Sequence, residues 1–328
     1  MRRPWQPEDL RSTRKSRTFD PVEPGLMKLM RAVSLEGYFT FLLHQDLQFV
    51  IPYTMNRAGG PQIQITGPDA HRAAPLIERG LSREDWVPSI SDSVCEFVRS
   101  TAQHLVIGGA VTYEIDYLYP QDAPSGPPAE FRLELVPPGT LSHHGREPIQ
   151  YVPAAFGGPR DKTGLTYVEL DRATLVTFRL DPVDEAPVRK MVRFLRAASA
   201  AQGAEDQLVE QSMRRGTAYS FADYHRELGE LVAEVTEPIG WNARELFQED
   251  RLAPYEVWRQ LRFTGFKIRL RDLIMEQLNA ALAQAGSRLG FQAAIELSGL
   301  PTLQDVEDAK GDLRTGRRSL SDLAMFAM

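Results

Sequence analysis

The chain has 328 residues, 42% of them hydrophobic and 25% charged, an ordinary globular composition that supports one large or two ordinary domains. Its formal charge of −6 disfavours a monomer that grips nucleic acid over a broad surface, since such affinity comes from neutralised phosphates, without excluding one that lets DNA slide past it. No window offers the roughly 18 consecutive apolar residues of a membrane span, the basic start MRRPWQPEDLRSTRKSR has no apolar run behind it to act as a signal peptide, and the single Cys95 excludes an intramolecular disulfide or a multi-thiolate zinc site.

In chain order, residues 1–23 read as a flexible basic arm carrying Arg2, Arg3, Arg11, Arg14, Lys15 and Arg17 with little apolar content. From Pro24 to about Gln48 the pattern is helical, with Leu26, Leu29, Met30, Val33, Leu42 and Leu43 on the core side and Gly37 as a point of interruption. NRAGGPQIQITGPD reads as a Gly- and Pro-rich loop. Ser82 to Ile107 is again helical, with Val94, Phe97, Val98, Ala102, Leu105 and Val106 at three- and four-residue steps, ended by Gly108 and Gly109.

The period then drops to two in AVTYEIDYLYP, where Val111, Tyr113, Ile115 and Tyr117 alternate with Thr112, Glu114 and Asp116, as in a half-buried strand. FRLELVPP, IQYVP, LTYVEL and TLVTFRL follow, separated by QDAPSGPP and GGPRDKTG, so residues 109–181 predict a mainly antiparallel sheet. Helices are expected near 187–214, 220–235 and 255–285, the last with Phe263, Phe266, Leu270, Leu273, Ile274, Leu278 and Leu282 along one side. A short strand, FQAAIEL, and an amphipathic helix over 303–313 complete an α+β chain without internal repeats, and its 23 prolines weigh against a purely helical bundle.

Catalytic and metal signatures are missing from the sequence. In GGPRDKTG, Lys162 and Thr163 stand where a P-loop lysine and hydroxyl would, but Asp161 replaces the glycine before the lysine and a strand follows instead of a helix. His44, His71, His104, His143, His144 and His225 include no i, i+4 pair with an intervening glutamate; His225 precedes Arg226 and Glu227 without completing such a motif. No Gly-x-Ser-x-Gly elbow is present, and Cys95 lies in an apolar helical stretch as an inert thiol would. The sequence therefore predicts a non-enzymatic protein with no catalytic, metal or cofactor residues. The helix over 255–285 concentrates Arg259, Arg262, Lys267, Arg269 and Arg271 in its first half, a basic stretch that suits either solvent or phosphate.

Two stretches resemble the portal subunits of tailed bacteriophages. FVRSTAQHLVIGGA running into VTYEIDYLYP, then FRLELVPPGTL, IQYVP and the pair YVEL and DRATLVTFRLDP, is similar in order to that family's wing region. LRDLIMEQLNAALAQAGSRLGFQAAIELSGLPTLQDVEDAKGDLRTGRRSLSDL resembles the family's long helix, short strand, Asp-containing helix and Gly-x-x-Ser turn. The chain is shorter than most portals and stops at SDLAMFAM, leaving little sequence for a C-terminal crown.

The resemblance implies a portal-like fold with long stem or tunnel helices: a wing-like α+β region over 24–185, a helical region over 186–254 where the stem and clip are expected, and a long helix, short strand and C-terminal helix over 255–328. It further implies a homo-oligomeric ring, commonly of twelve subunits in that family, at one capsid vertex of the virion after assembly in the host cytoplasm. Double-stranded DNA would pass through it independently of sequence, and the major capsid protein, the terminase and a head–tail adaptor would be its partners. No membrane is expected among its partners. In such a ring each inward basic residue becomes a band of positive charge, which makes Arg259, Arg262, Lys267, Arg269 and Arg271 the DNA-facing candidates. The alternatives are another head–tail connector or adaptor protein, or a nucleotide-dependent enzyme using the loop at 157–164.

Overall fold

The computed structural model describes residues 10–12, 16–17, 37–51, 62–82, 89–122, 125–137, 139–144, 147–153, 165–203, 221–245 and 252–327. Within the expected basic arm, β1 (Leu10–Ser12) and β2 (Ser16–Arg17) are short strands. Next come α1 (Tyr38–Leu47), β3 (Gln62–Thr66), α2 (Ala70–Leu81) and α3 (Ile90–Gly108). The strands β4 (Ala110–Pro120), β5 (Glu130–Val136), β6 (Leu141–His144), β7 (Glu147–Pro153), β8 (Leu165–Glu169) and β9 (Leu175–Arg179) follow. The C-terminal part comprises α4 (Pro182–Gly203), α5 (Phe221–Thr236), α6 (Ala253–Leu289), β10 (Ala294–Ser298), α7 (Leu303–Thr315) and α8 (Leu320–Ala327), an α+β architecture.

The predicted single sheet is divided. β4 pairs antiparallel with β5 along one edge, from Thr112 opposite Val136 to Leu118 opposite Glu130. Its other edge pairs with β9 over residues 110–114 and with β1 over residues 118–120, so residues 115–117 fall between these two partners. A second antiparallel sheet has the order β2-β8-β7-β6, and β3 pairs with β10 as a separate ribbon. All these pairs are antiparallel.

The half-buried reading of β4 is corrected: every residue from 111 to 118 is buried. Val111, Tyr113, Ile115 and Tyr117 join the main core, where the ring of Tyr113 meets those of Phe97 and Phe178. The alternate residues are covered as well. Thr112 lies in a cleft with Leu141 and Pro148 of the second sheet, and Glu114 and Asp116 lie in another with Glu147 and Glu169. Period-two alternation thus marks two chemically different covered faces, one apolar and one polar.

Local chemistry fixes the helix ends. Ser89 caps α3 by accepting from Asp92 N at 3.2 Å, and Gly109, at φ 76°, closes it by donating to Leu105 O at 2.8 Å. The expected start at Ser82 is thus too early for α3, which begins at Ile90; α2, a separate helix that ends at Leu81, is not expected, its pattern obscured by Pro75 and Gly80. The QIQIT segment, expected as loop, is strand β3 held by β10. Thr302 and Asp305 form a reciprocal capping box at the start of α7.

The helix predicted from Pro24 is described from Tyr38 onward. Gly37 fits there because a Cβ would collide with Ser199 of α4, whose hydroxyl accepts from Phe39 N at 3.1 Å. α4 begins earlier than expected, at Pro182, where Asp181 Oδ1 accepts from Val183 N at 2.8 Å. One continuous core runs from Phe39 through α3, β4, α4 and α5 to Phe291 and Ile295, crossing the sequence boundaries at 185/186 and 254/255.

The 37-residue α6 packs on two sides. Phe266, Leu270, Ile274, Leu278 and Leu282 enter the main core as predicted, with Phe263 and Leu273 half-buried beside them. Val257, Leu261 and Ile268 on another face meet Val306, Ala309 and Leu323 of α7 and α8 in a second cluster. Burial on both sides decides the fate of the basic residues that share this helix.

Candidate nucleic-acid interface

The five basic candidates of α6 do not form a surface band. Arg259 is 0% exposed; its Nη2 donates to Thr236 Oγ1 at 2.6 Å and to the Trp241 carbonyl. Lys267 is 8% exposed, its Nζ 5.2 Å from the Phe263 ring centroid, and burial pulls its pKa down from the usual lysine range against the opposing effect of Asp46. Arg271 is 7% exposed and bonds Asp272 Oδ1 at 2.8 Å and Pro301 O at 3.2 Å.

The other two lie nearer the surface but are engaged within the subunit. Arg262 stacks 4.6 Å from the Trp258 ring centroid and donates to Pro238 O at 3.0 Å. Arg269 grips Asp184 of α4 through two bonds, Nε to Oδ2 at 2.9 Å and Nη2 to Oδ1 at 2.8 Å, and that hydrogen bonding raises its pKa further. The expectation of a DNA-facing row is corrected for Arg259, Lys267 and Arg271, which are enclosed because α6 is covered by the main core on one side and by α7 and α8 on another.

The nucleotide-loop residues Asp161, Lys162 and Thr163 lie outside the described residues. His104 Nδ1 bonds Ser100 O at 2.7 Å within α3, and Gln103 Nε2 donates to His44 O at 3.1 Å. His143 is exposed on β6, and His71 on α2. Among the described residues no group of His, Cys, Asp or Glu is disposed to hold a metal ion. Burial pushes the Cys95 thiol up to about 12, a thiol kept protonated in the core of α3.

Exposed positive charge gathers elsewhere. A cleft of about 490 Å³ between the end of α3 and the flank of α4 is lined by Arg179, Arg189, Arg193 and Arg196. A second cleft, of about 440 Å³, adjoins it, shares Gly108, Ala110 and Arg179, and adds Arg172 and His143. Arg189, Arg193 and Arg196 recur at four- and three-residue steps and so stand on one face of α4. That spacing, following a strand that ends in arginine, was the available sequence signal; the denser run of cations in 259–271 masked it.

Negative charge gathers in a third cleft of about 440 Å³, beside the interruption in the edge pairing of β4. Glu114, Asp116, Glu147, Glu169 and Asp171 line it together with Arg288, whose guanidinium lies 4.8 Å from the Tyr117 ring centroid. No described helix is long and apolar enough to cross a membrane.

No protein-family profile matches the sequence, and no curated protein matches it. Among solved structures, the chain is similar to one in the neck of a native GTA particle computed with C12 symmetry, at a TM-score of 0.49 and 11% identity over 95% of either chain.

Proposed function

We propose that this chain is a non-enzymatic structural subunit of a tailed-phage head–tail connector, specifically a portal-type ring at one capsid vertex through which double-stranded DNA is packaged and ejected. The observation that carries the reading is the unbroken passage from α3 through Gly108 and Gly109 into β4, with β5 and β9 paired to β4 and α4 leaving directly from β9. That is the order on which the resemblance to portal wings rests. The long α6 followed by β10 and α7 supports it from the other end of the chain.

In this reading the subunits assemble into a ring of about twelve copies, the terminase docks during packaging and an adaptor docks afterwards. The buried cations of α6 hold each subunit together, and contact with passing DNA falls to residues exposed elsewhere.

Negative-stain images of the purified chain test the proposal. Closed rings with an open central channel wide enough for duplex DNA are expected. Compact particles without a channel would move the assignment to an adaptor. Saturable nucleotide binding by the wild type, lost in Lys162→Ala, would move it to an enzyme.

A further inference from the structure

Five arginines from consecutive elements converge beside the C-terminal end of α3. Arg172 lies in the single helical turn before β9, Arg179 ends β9, and Arg189, Arg193 and Arg196 share one face of α4. Among the described residues, the only carboxylate lining the two clefts is Glu185, which is bonded to Arg189. The nearby acids of the first turn are also engaged: Asp184 is held by Arg269, and Asp181 caps Val183 N. Arg196 ties α4 to α3 through Ile107 O at 3.3 Å. Arg172, Arg179 and Arg193 are exposed and have no hydrogen-bonding or ion-pair partner for their side chains among the described residues.

An uncompensated positive surface of this kind calls for an anion, and its layout favours a polymer of phosphates. From Arg189 to Arg196 the helix rises about 10 Å, the length over which one strand of duplex DNA presents about three phosphates. Arginine forks match phosphate oxygens and carry no base information when they contact the backbone. Among the described residues no Phe, Tyr or Trp lines either cleft, so the described lining offers none of the aromatic anchors that dominate protein interfaces.

We propose that this face of β9 and α4 binds the phosphate backbone of duplex DNA without base selectivity. The inference deepens the conduit reading, on which it rests, by naming the residues that touch the DNA. Repetition around a ring would turn the four exposed arginines of one subunit into a continuous basic band, while the chain's net negative charge keeps each contact weak enough to release.

The test is fluorescence anisotropy of the full chain with short labelled duplexes of several sequences over a range of salt concentrations. Wild type is compared with Arg179→Glu/Arg193→Glu and with a control of the same charge change, Arg314→Glu/Arg317→Glu at the end of α7. Salt-sensitive, sequence-independent binding is expected for the wild type and the control. The α4-face variant should bind at least roughly tenfold more weakly, with a salt slope lower by about two. No wild-type binding at low salt, equal loss in both variants, or unchanged binding by the α4-face variant would overturn the inference. So would capture of polyglutamate, but not duplex, through the same arginines, which would assign the face to an acidic protein. If rings form and DNA ignores these arginines, this inference falls alone. If no ring forms yet DNA binds through them, the ring reading falls and this one stands.

Discussion

Arg259 donates through Nη2 to Thr236 Oγ1 at 2.6 Å, joining α6 to the end of α5 inside the subunit. The same nitrogen meets the carbonyl of Trp241, and the Trp241 indole donates to Asp46 Oδ2 at 2.8 Å. Asp46 also receives Arg244 Nε at 2.8 Å, so one short polar chain links α6, the turn after α5, and α1. A cation that reads as surface charge in the sequence is thereby a structural tie.

Replacing Arg259 by Ala removes the donor and leaves the Trp241 carbonyl without it in a closed site. Loss of a buried partner costs about 1–3 kcal/mol, and the cavity adds to it. Chemical denaturation should therefore show Arg259→Ala destabilised by about 3 kcal/mol, while a folded fraction of the variant retains whatever DNA affinity the wild type has. Unchanged stability with lost DNA binding would return Arg259 to the role of a DNA contact.

Lys267 gives a pH-dependent test. Its folded-state pKa is depressed by burial, so between that value and the unfolded value near 10.5 the unfolded chain binds more protons and stability rises with pH. Below the folded value the burial penalty is fully present. Lys267→Met should be more stable than wild type at neutral pH, and its stability should rise less as pH increases toward 10.5. Equal pH profiles for the two proteins would show that the ammonium is solvated in the folded state.

Cys95 supplies a probe of folding. With its thiol pushed up to about 12 inside α3, it should not react with a thiol reagent at mildly alkaline pH until the chain unfolds. Rapid stoichiometric labelling of the folded protein would contradict the packing of α3 against the core.

Gly240 tests the turn that positions Trp241. Its φ is +86°, and a Cβ there would meet the Arg259 carbonyl and, at 2.7 Å, Phe263 N. Gly240→Ala combines a strained backbone with a clash against α6 and should lower stability by more than about 1 kcal/mol, measured by thermal unfolding.

The sequence made much of this fold legible, and its omissions have physical causes. Apolar spacing identified α3 and the core side of α6, and alternation identified β4, because these elements bury regular faces. β3 escaped because a five-residue strand between glycines and prolines carries little periodicity of its own and is stabilised by β10, more than two hundred residues away. α2 was masked by Pro75 and Gly80, although Gly80 is where the Phe131 ring of β5 packs close. The candidate interface was less legible. Charge density in 259–271 pointed outward, but Val257, Leu261 and Ile268 on a second face of the same helix required α7 and α8 to cover it, which only tertiary packing reveals. The sparser Arg189 and Arg193 remain exposed, and Arg196 half-buried, because the core side of α4 beside them is formed by Val188, Met191, Val192 and Leu195.

The mass of the purified chain in solution, taken over a range of protein concentrations, decides whether this subunit closes into a ring. A discrete species of about twelve times the 36.9 kDa subunit mass is expected, with a ring outline in the same fraction. A species that never exceeds a closed dimer at any concentration would contradict it.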